Sequence, residues 1–229
     1  EKFFPPGVLG ASGFSNDAQA LSKGLIDIQT WARCLGRVLT LLDANPNARQ
    51  RLFGRERLPD NLAVAEARDI LGRFGHAAYR RTLAPAELSA MVAVYQKRVA
   101  RHSPYEAIKS AYLATLLSPS FMYRFEHPEP GQMPVVGEEL AVRLAYFLWS
   151  SPPDAKLLEL AAAGKLRDPQ TLVGQVHRML ADPKRIALAE NLGGEWFDYK
   201  PLRQQSAVNK RSDKMAGFFR TQYEEALLF

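Results

Sequence analysis

Cysteine is nearly absent from this sequence, with Cys34 alone in 229 residues. A disulfide within the chain and a cysteine-rich zinc site are therefore excluded. Cys34 falls among Ile28, Trp31, Leu35 and Val38, which are spaced as one apolar face of a helix. We expect a buried and unreactive thiol at this position. A disulfide to a cysteine outside this sequence is the alternative.

Long apolar runs and local ligand motifs are also missing. No stretch approaches the ~20 consecutive apolar residues of a membrane-spanning helix, and the N-terminal segment lacks the pattern of a secretory leader. None of the four histidines stands in an HExxH, ExxH or CxxCH motif, the local patterns of zinc, di-iron and haem sites. We therefore predict no catalytic residue, no metal ligand and no cofactor within the chain, apart from a site assembled only by folding.

Lysine is absent from one arginine-rich stretch of the chain, whose overall content of charged residues is ordinary. The chain carries 30 Lys+Arg and 24 Asp+Glu, a net charge of +6, and between Arg33 and Arg81 ten arginines stand without a lysine. A solvated helix face is the favoured interpretation, because no aromatic residues interleave as in a single-strand binder. Forked hydrogen bonding to carboxylates, carbonyls or phosphate is the alternative. We expect no nucleic-acid binding.

What the sequence does contain is helical periodicity. Apolar residues recur at three and four residues through most of the chain, and no stretch alternates as a half-buried strand does. The pattern predicts an all-α protein, an irregular bundle of roughly nine helices in two packed helical subdomains. The predicted parts are an N-terminal arm and helix over 1–60, a first helical domain over 61–126 and a second over 137–229. Since the chain starts without Met and stops within an apolar pattern, we expect truncation or processing at both ends.

Several helix starts are marked by residue type. Ser103-Pro104-Tyr105-Glu106 has the form of a capping box with proline at the first helical position. Asp168-Pro169 and Asp182-Pro183 each place a capping carboxylate before a proline. Gly72 and Gly75 lie inside a helix predicted over 61–81, where each costs about 1 kcal/mol against alanine. We therefore expect close packing at these glycines.

A resemblance to a known family rests on several segments. The stretch 74–88, with Arg80-Arg81, and the stretch 114–124, with Ser118-Pro119-Ser120-Phe121, resemble a helical domain of unknown function found in planctomycete and related bacterial surface proteins. The segments that resemble the companion domain following it in the same chains are 140–154, 164–166, 179–183 and 191–196. The N-terminal residues 5–16 resemble the end of a third module.

The family setting supplies expectations that the residues alone do not. These modules occur with c-type cytochrome domains in exported proteins, which implies an extracytoplasmic location and haem in a neighbouring domain or partner. Thr82 and Ala84 stand where the family favours proline and a capping threonine, so we expect a weaker start of the helix at Pro85. No reaction is implied by the resemblance.

Two functions remain in competition at this point. The leading hypothesis is a non-catalytic interaction or scaffold region that packs against other domains or subunits, including a c-type cytochrome. The alternative is part of an extracytoplasmic enzyme acting on a polymer such as polysaccharide, with a pocket formed by residues such as Asp154, Glu195, His177, Arg143 and Trp149. The candidate interaction residues are Arg80, Arg81, Arg143, Trp149, Asp154, Glu195 and Trp196.

Overall fold

A computed structural model describes residues 25–124, 126, 135, 137–199, 202 and 213–228, with side chains described from residue 28 onward. Within these residues the secondary structure is helical and no strand occurs, which confirms the all-α prediction. Eleven helices are seen there rather than roughly nine. The predicted arm and most of the predicted connector over 127–137 lie outside the described residues.

The described residues form two compact units, divided after Glu126. The first contains α1 Leu25–Thr40, α2 Pro46–Phe53, α3 Val64–Tyr79, α4 Pro85–Val99, α5 Pro104–Leu116 and α6 Pro119–Met122. The second contains α7 Gly137–Trp149, α8 Ala155–Ala162, a 3-10 turn Lys165–Arg167, α9 Pro169–Ala181, α10 over 183–196 and α11 Asp213–Leu228. None of the helices described is long and apolar enough to cross a membrane.

The core of the first unit is organised around buried aromatic residues. Tyr112 stacks on Phe74 with ring centroids 3.6 Å apart, and its hydroxyl donates to the Leu52 carbonyl at 3.1 Å. Tyr95 is fully buried and donates to the Leu62 carbonyl, because a buried phenol needs an acceptor. Residues of α1 and α2 share this core. The boundary predicted at residue 60 therefore falls inside one compact unit.

Local capping chemistry accounts for most helix starts. Ser103 Oγ accepts from the Glu106 N–H at 3.3 Å, so one half of the predicted capping box forms, while the Glu106 carboxylate pairs with Lys109. Asp168 caps α9 through the Thr171 N–H at 2.8 Å. The corresponding carboxylate of Asp182 caps the Pro183–Arg185 turn at 2.8 Å. The aspartate and proline predictions are confirmed.

The two glycines of α3 differ in their surroundings. A Cβ at Gly75 would lie 2.8 Å from Met91 Cε and 2.9 Å from Leu83 Cδ1, which is closer than carbon atoms approach in proteins. A Cβ at Gly72 would lie 3.8 Å from Leu88, an ordinary contact. Close packing is thus confirmed at Gly75, where the missing side chain lets α4 approach α3. Gly72 has space to spare.

Cys34 corrects one expectation. Its side chain is partly exposed rather than buried, because the neighbouring α1 residues Ile28 and Val38 are themselves exposed. Of the described α1 side chains, Leu35 from the predicted stripe and the neighbouring Leu39 are buried. The apolar face of α1 is therefore only half covered within the described chain.

Candidate functional site

Arg80 lies at the end of α3, and its side chain also contacts the end of α6. It adopts the left-handed conformation, with φ of 61°, and its backbone N–H donates to the His76 carbonyl at 2.9 Å. The side chain is 8% exposed. Its Nη2 donates to the carbonyls of Ser120, Phe121 and Tyr123 at 3.2, 2.9 and 3.3 Å. Arg80 therefore caps the carbonyl end of α6 with a positive charge.

Arg81 forms a forked pair with Glu87 on the first turn of α4. Its two terminal nitrogens donate to the two Glu87 carboxylate oxygens at 2.8 Å each. Glu87 also accepts from the Ala84 N–H at 3.0 Å and from Ser120 Oγ at 3.2 Å. The Arg81 guanidinium lowers the pKa of Glu87 to about 2, against the opposing effect of burial. Glu87 thus supplies the cap that Ala84 lacks, and the expected weak start of α4 is compensated.

The two segments that carry the resemblance in the first unit therefore contact each other. Arg80 and Arg81 come from the first segment, and Ser120 and Phe121 come from the second. Ser118 Oγ also donates to the Tyr79 hydroxyl at 2.8 Å. The motifs hold α3, α4 and α6 together. An interaction role for Arg80 and Arg81 stays a prediction, but both guanidinium groups have a structural role inside the unit.

Other arginines of the lysine-free stretch also bind main-chain carbonyls. The Arg49 guanidinium donates to the carbonyls of Leu42, Asp43 and Glu56 at 2.6, 2.8 and 2.6 Å, so it closes the turn after α1. Arg55 pairs with Glu66 at 3.2 Å in an exposed contact. The solvated-face interpretation therefore needs correction at Arg49, Arg80 and Arg81, where forked hydrogen bonding is what the structure shows.

In the second unit, folding brings Asp154 against Arg178. The Asp154 carboxylate caps α8 through the Leu157 N–H at 2.9 Å and accepts two hydrogen bonds from Arg178 at 2.7 and 3.2 Å. Burial opposes ionisation of Asp154, but the Arg178 and Leu157 hydrogen bonds outweigh it, and its pKa is lowered. A carboxylate held ionised in a forked pair is poorly suited to act as a general acid.

Trp149 is buried beside this pair. Its indole Nε1 donates to the Met179 carbonyl at 2.9 Å. Arg178 Cζ lies 5.7 Å and Lys184 Nζ lies 4.6 Å from its ring centroid, both within the range of cation–π attraction. Trp149 therefore joins α7 to the end of α9, as a core anchor does.

The other candidate residues of the second unit do not join this cluster. Arg143 and His177 are exposed on α7 and α9, and Glu195 is partly exposed on α10. Trp196 is 69% exposed, and its neighbour Phe197 is 77% exposed. Of the candidate residues in the second unit, Trp149 and Asp154 therefore belong to this cluster, whereas Trp196 lies exposed beside Phe197.

The exposed pair borders an apolar groove of about 470 Å³. This volume lies in the range of binding sites. None of Asp154, Glu195, His177, Arg143 and Trp149 lines the groove. The lining residues are Leu180, Arg185, Ile186, Leu188, Ala189, Leu192, Gly193, Trp196, Phe197 and Leu227. Arg185 carries the one charged group of this lining, and the Trp196 indole is the one other polar side-chain group among the ten residues. The groove is the candidate functional site of the second unit.

A π-helical stretch, Ala189–Gly193, forms one wall of the groove. The Tyr199 hydroxyl donates to the Ala189 carbonyl, and a Cβ at Gly193 would lie 2.8 Å from that hydroxyl. On the same stretch Glu190 accepts from the Tyr223 hydroxyl at 3.0 Å. The Tyr199 hydroxyl therefore occupies the space beside Gly193, and a side chain at position 193 would displace it. Such stretches occur often at functional sites.

Sequence reasoning selected Trp196 but missed the rest of the groove. Ile186, Leu192 and Phe197 are large apolar residues and look like core residues in the sequence. The signal that points to them is Gly193-Gly194 beside Trp196-Phe197, where two large aromatics follow two residues without side chains. Among the described residues no group of three His, Cys, Asp or Glu side chains is placed to hold a metal ion.

Fold and site together define a two-unit helical protein whose candidate site is an open apolar groove rather than a cluster of titratable groups. Residues 66–126 match the family model described as PSD5, a protein of unknown function (DUF1595). Residues 136–227 match the model described as PSD4, a protein of unknown function (DUF1592). The resemblance to two successive domains of unknown function is therefore confirmed. Searches of curated proteins and of solved structures found no match.

Proposed function

We propose that the chain is a helical docking and scaffold region of a larger extracytoplasmic protein or complex that includes a c-type cytochrome. The observation that carries the docking role is the groove in the second unit, bordered by Trp196 and Phe197 at 69% and 77% exposure. Paired, exposed aromatics beside an apolar groove are typical of binding surfaces. The extracytoplasmic and haem-linked setting is supported by the family resemblance.

The charge distribution supports an apolar rather than an ionic contact surface. Arg80, Arg81 and Asp154 are engaged in hydrogen bonds inside their own units, so removing one of them would disturb the fold first. Trp196 and Phe197, by contrast, lie at the surface. The groove therefore offers the contact area that a partner would bury.

The hypothesis of an enzyme acting on a polymer predicts a pocket lined by several of Asp154, Glu195, His177, Arg143 and Trp149. Asp154 is paired with Arg178, and Glu195 does not line the groove. Trp149 is buried with its indole N–H donated to Met179. No observation in the described part of the chain favours the enzymatic function over docking, and the docking function is the one we retain.

Hydroxyl-radical footprinting of the full-length native protein tests this proposal. Trp196 and Phe197 should oxidise readily in the isolated chain and be protected in the assembly purified from its host, whose haem absorbance should be in fixed ratio to the chain. Phe147, which is 56% exposed on α7, serves as a matched aromatic outside the groove and should stay reactive. Equal reactivity of Trp196 in both preparations, or a bare monomer without haem, would contradict the proposal.

A further inference from the structure

The exposed apolar surface extends beyond the groove itself. A ligand that fills about 470 Å³ would occupy the space between the walls, but it would leave Trp196 and Phe197 largely in water. Ile186 and Leu192, on the same side, are also exposed. A contiguous apolar patch of this kind is covered by a macromolecular surface rather than by a small molecule.

One charge is built into the lining. Arg185 is exposed, and its Nη1 donates to the Leu180 carbonyl at the end of α9 at 3.1 Å. A wholly apolar partner would remove this guanidinium from water without compensation, which is costly. A carboxylate offers forked hydrogen bonds to the remaining donors. The charge of the groove therefore selects a partner that is apolar along its length and acidic at the Arg185 end.

The shape of the groove favours a helix. The groove is lined by Ile186, Ala189, Gly193 and Trp196 at steps of three and four residues along α10, so the lining follows the helix axis, as a surface against which a second helix packs does. The part of the chain that the structure describes has no strand edge that could pair with an extended peptide. The remaining common mode places the apolar face of an amphipathic helix in a hydrophobic groove.

We infer that the groove binds an amphipathic helix of the partner protein, with apolar residues at i, i+3 or i+4 and i+7 and a carboxylate that pairs with Arg185. This inference rests on the proposed docking function and names the chemistry of the surface that docks. Trp196 and Phe197 pack along the apolar face of the bound helix, and Arg185 fixes its direction.

Charge reversal tests the inference with defined peptides. One synthetic amphipathic peptide carries leucine at i, i+3, i+4 and i+7 and glutamate where the helix meets Arg185, and a second carries lysine there. Titration calorimetry with the full chain should give tighter binding of the glutamate peptide by about tenfold, the effect of one close charge pair. The variant Arg185→Glu should reverse the preference. Arg167→Glu, an exposed arginine on the 3-10 turn outside the groove lining, should leave it unchanged.

The inference is overturned by any of several outcomes. They are no binding of either peptide, a glutamate preference that survives Arg185→Glu, and a concentration-dependent dimer of the chain that buries Trp196 and excludes the peptide. Tighter binding of a fatty acid than of the peptide, with Trp196 still reactive in the complex, would also overturn it. If Trp196 is protected in the native assembly but charge reversal fails, the docking function stands and the helix inference is wrong. If Trp196 is not protected, both the docking function and the helix inference are wrong.

Discussion

Replacing Arg80 with methionine should destabilise the first unit selectively. Methionine keeps most of the apolar volume of the side chain and faces the same left-handed backbone cost, with φ of 61° at this residue. What it removes is the positive group that three carbonyls of the α6 turn share, those of Ser120, Phe121 and Tyr123. The perturbation therefore isolates the capping of α6.

The magnitude follows from the number of donors. Nη2 carries two hydrogens, so the three carbonyls share about two full hydrogen bonds, each worth roughly 1.5–3 kcal/mol when the donor is charged. Water that enters the site replaces part of this at a partly open helix end. We expect Arg80→Met to lower the free energy of unfolding of the first unit by about 3 kcal/mol. Arg80→Lys keeps the charge but replaces the planar guanidinium with a compact, strongly hydrated ammonium, and we expect roughly half of that loss.

Hydrogen exchange read by mass spectrometry across a urea series gives the free energy of each unit separately. Peptides from α3 to α5 should show the loss in Arg80→Met, while peptides from α7 to α9 should be unchanged. Arg68→Met, an exposed arginine on α3, is the matched control and should stay within about 0.5 kcal/mol of the parent. If Arg80→Met matches Arg68→Met, the capping role assigned to Arg80 is wrong.

The other predictions concern three further contacts. Gly75→Ala should cost about 1–3 kcal/mol through overpacking, whereas Gly72→Ala should stabilise α3 by about 0.5–1 kcal/mol. Equal urea midpoints for the two variants would contradict the packing described. The pKa of Glu87 is lowered to about 2 from 4.5, so the stabilisation from this carboxylate is complete above pH 4.5 and is lost as the pH falls toward 2. Glu87→Gln should therefore reduce the dependence of the unfolding free energy on pH below 4.5. An unchanged dependence would refute this. Trp149→Phe should cost about 1 kcal/mol by removing the indole hydrogen bond to the Met179 carbonyl, which keeps the Asp182 N–H at 3.2 Å. The loss should be seen as faster exchange at the end of α9, and unaltered exchange there would count against it.

Helix starts were predictable because their chemistry is local. The carboxylates of Asp168 and Asp182 accept from N–H donors within three residues, so residue type and spacing determine the contact. The same holds for Ser103. The start of α4 was predicted less well, because the capping group there is Glu87 rather than residue 84, and Glu87 is itself held by Arg81.

The roles of the arginines were not predictable for the opposite reason. Arg80 binds carbonyls 40 to 43 residues further along the chain, and Arg178 binds a carboxylate 24 residues before it. Periodicity indicates which face a residue lies on but not which distant carbonyl is opposite. The solvated face that charge alone favours is therefore replaced by internal hydrogen bonds at these positions.

The groove was hidden by a change of helical period. Leu192 and Trp196 are four residues apart, a spacing that predicts one face of a regular α-helix, yet α10 passes through the π-helical stretch Ala189–Gly193. The wider turn changes the direction in which later side chains project. Trp196 was selected from its size and place at the end of an apolar run, and its exposure could only come from the structure.

Site-specific photo-cross-linking from position 196 tests the docking role most directly. A photoreactive phenylalanine replaces Trp196 in the full-length protein in its host, and Lys165, exposed on the 3-10 turn, is replaced in a control. We expect position 196 to cross-link to one defined polypeptide segment, a helix rich in leucine and glutamate belonging to a haem-bearing subunit or domain, and position 165 to give no such product. A scatter of products from position 196, or the same products from both positions, would contradict the account.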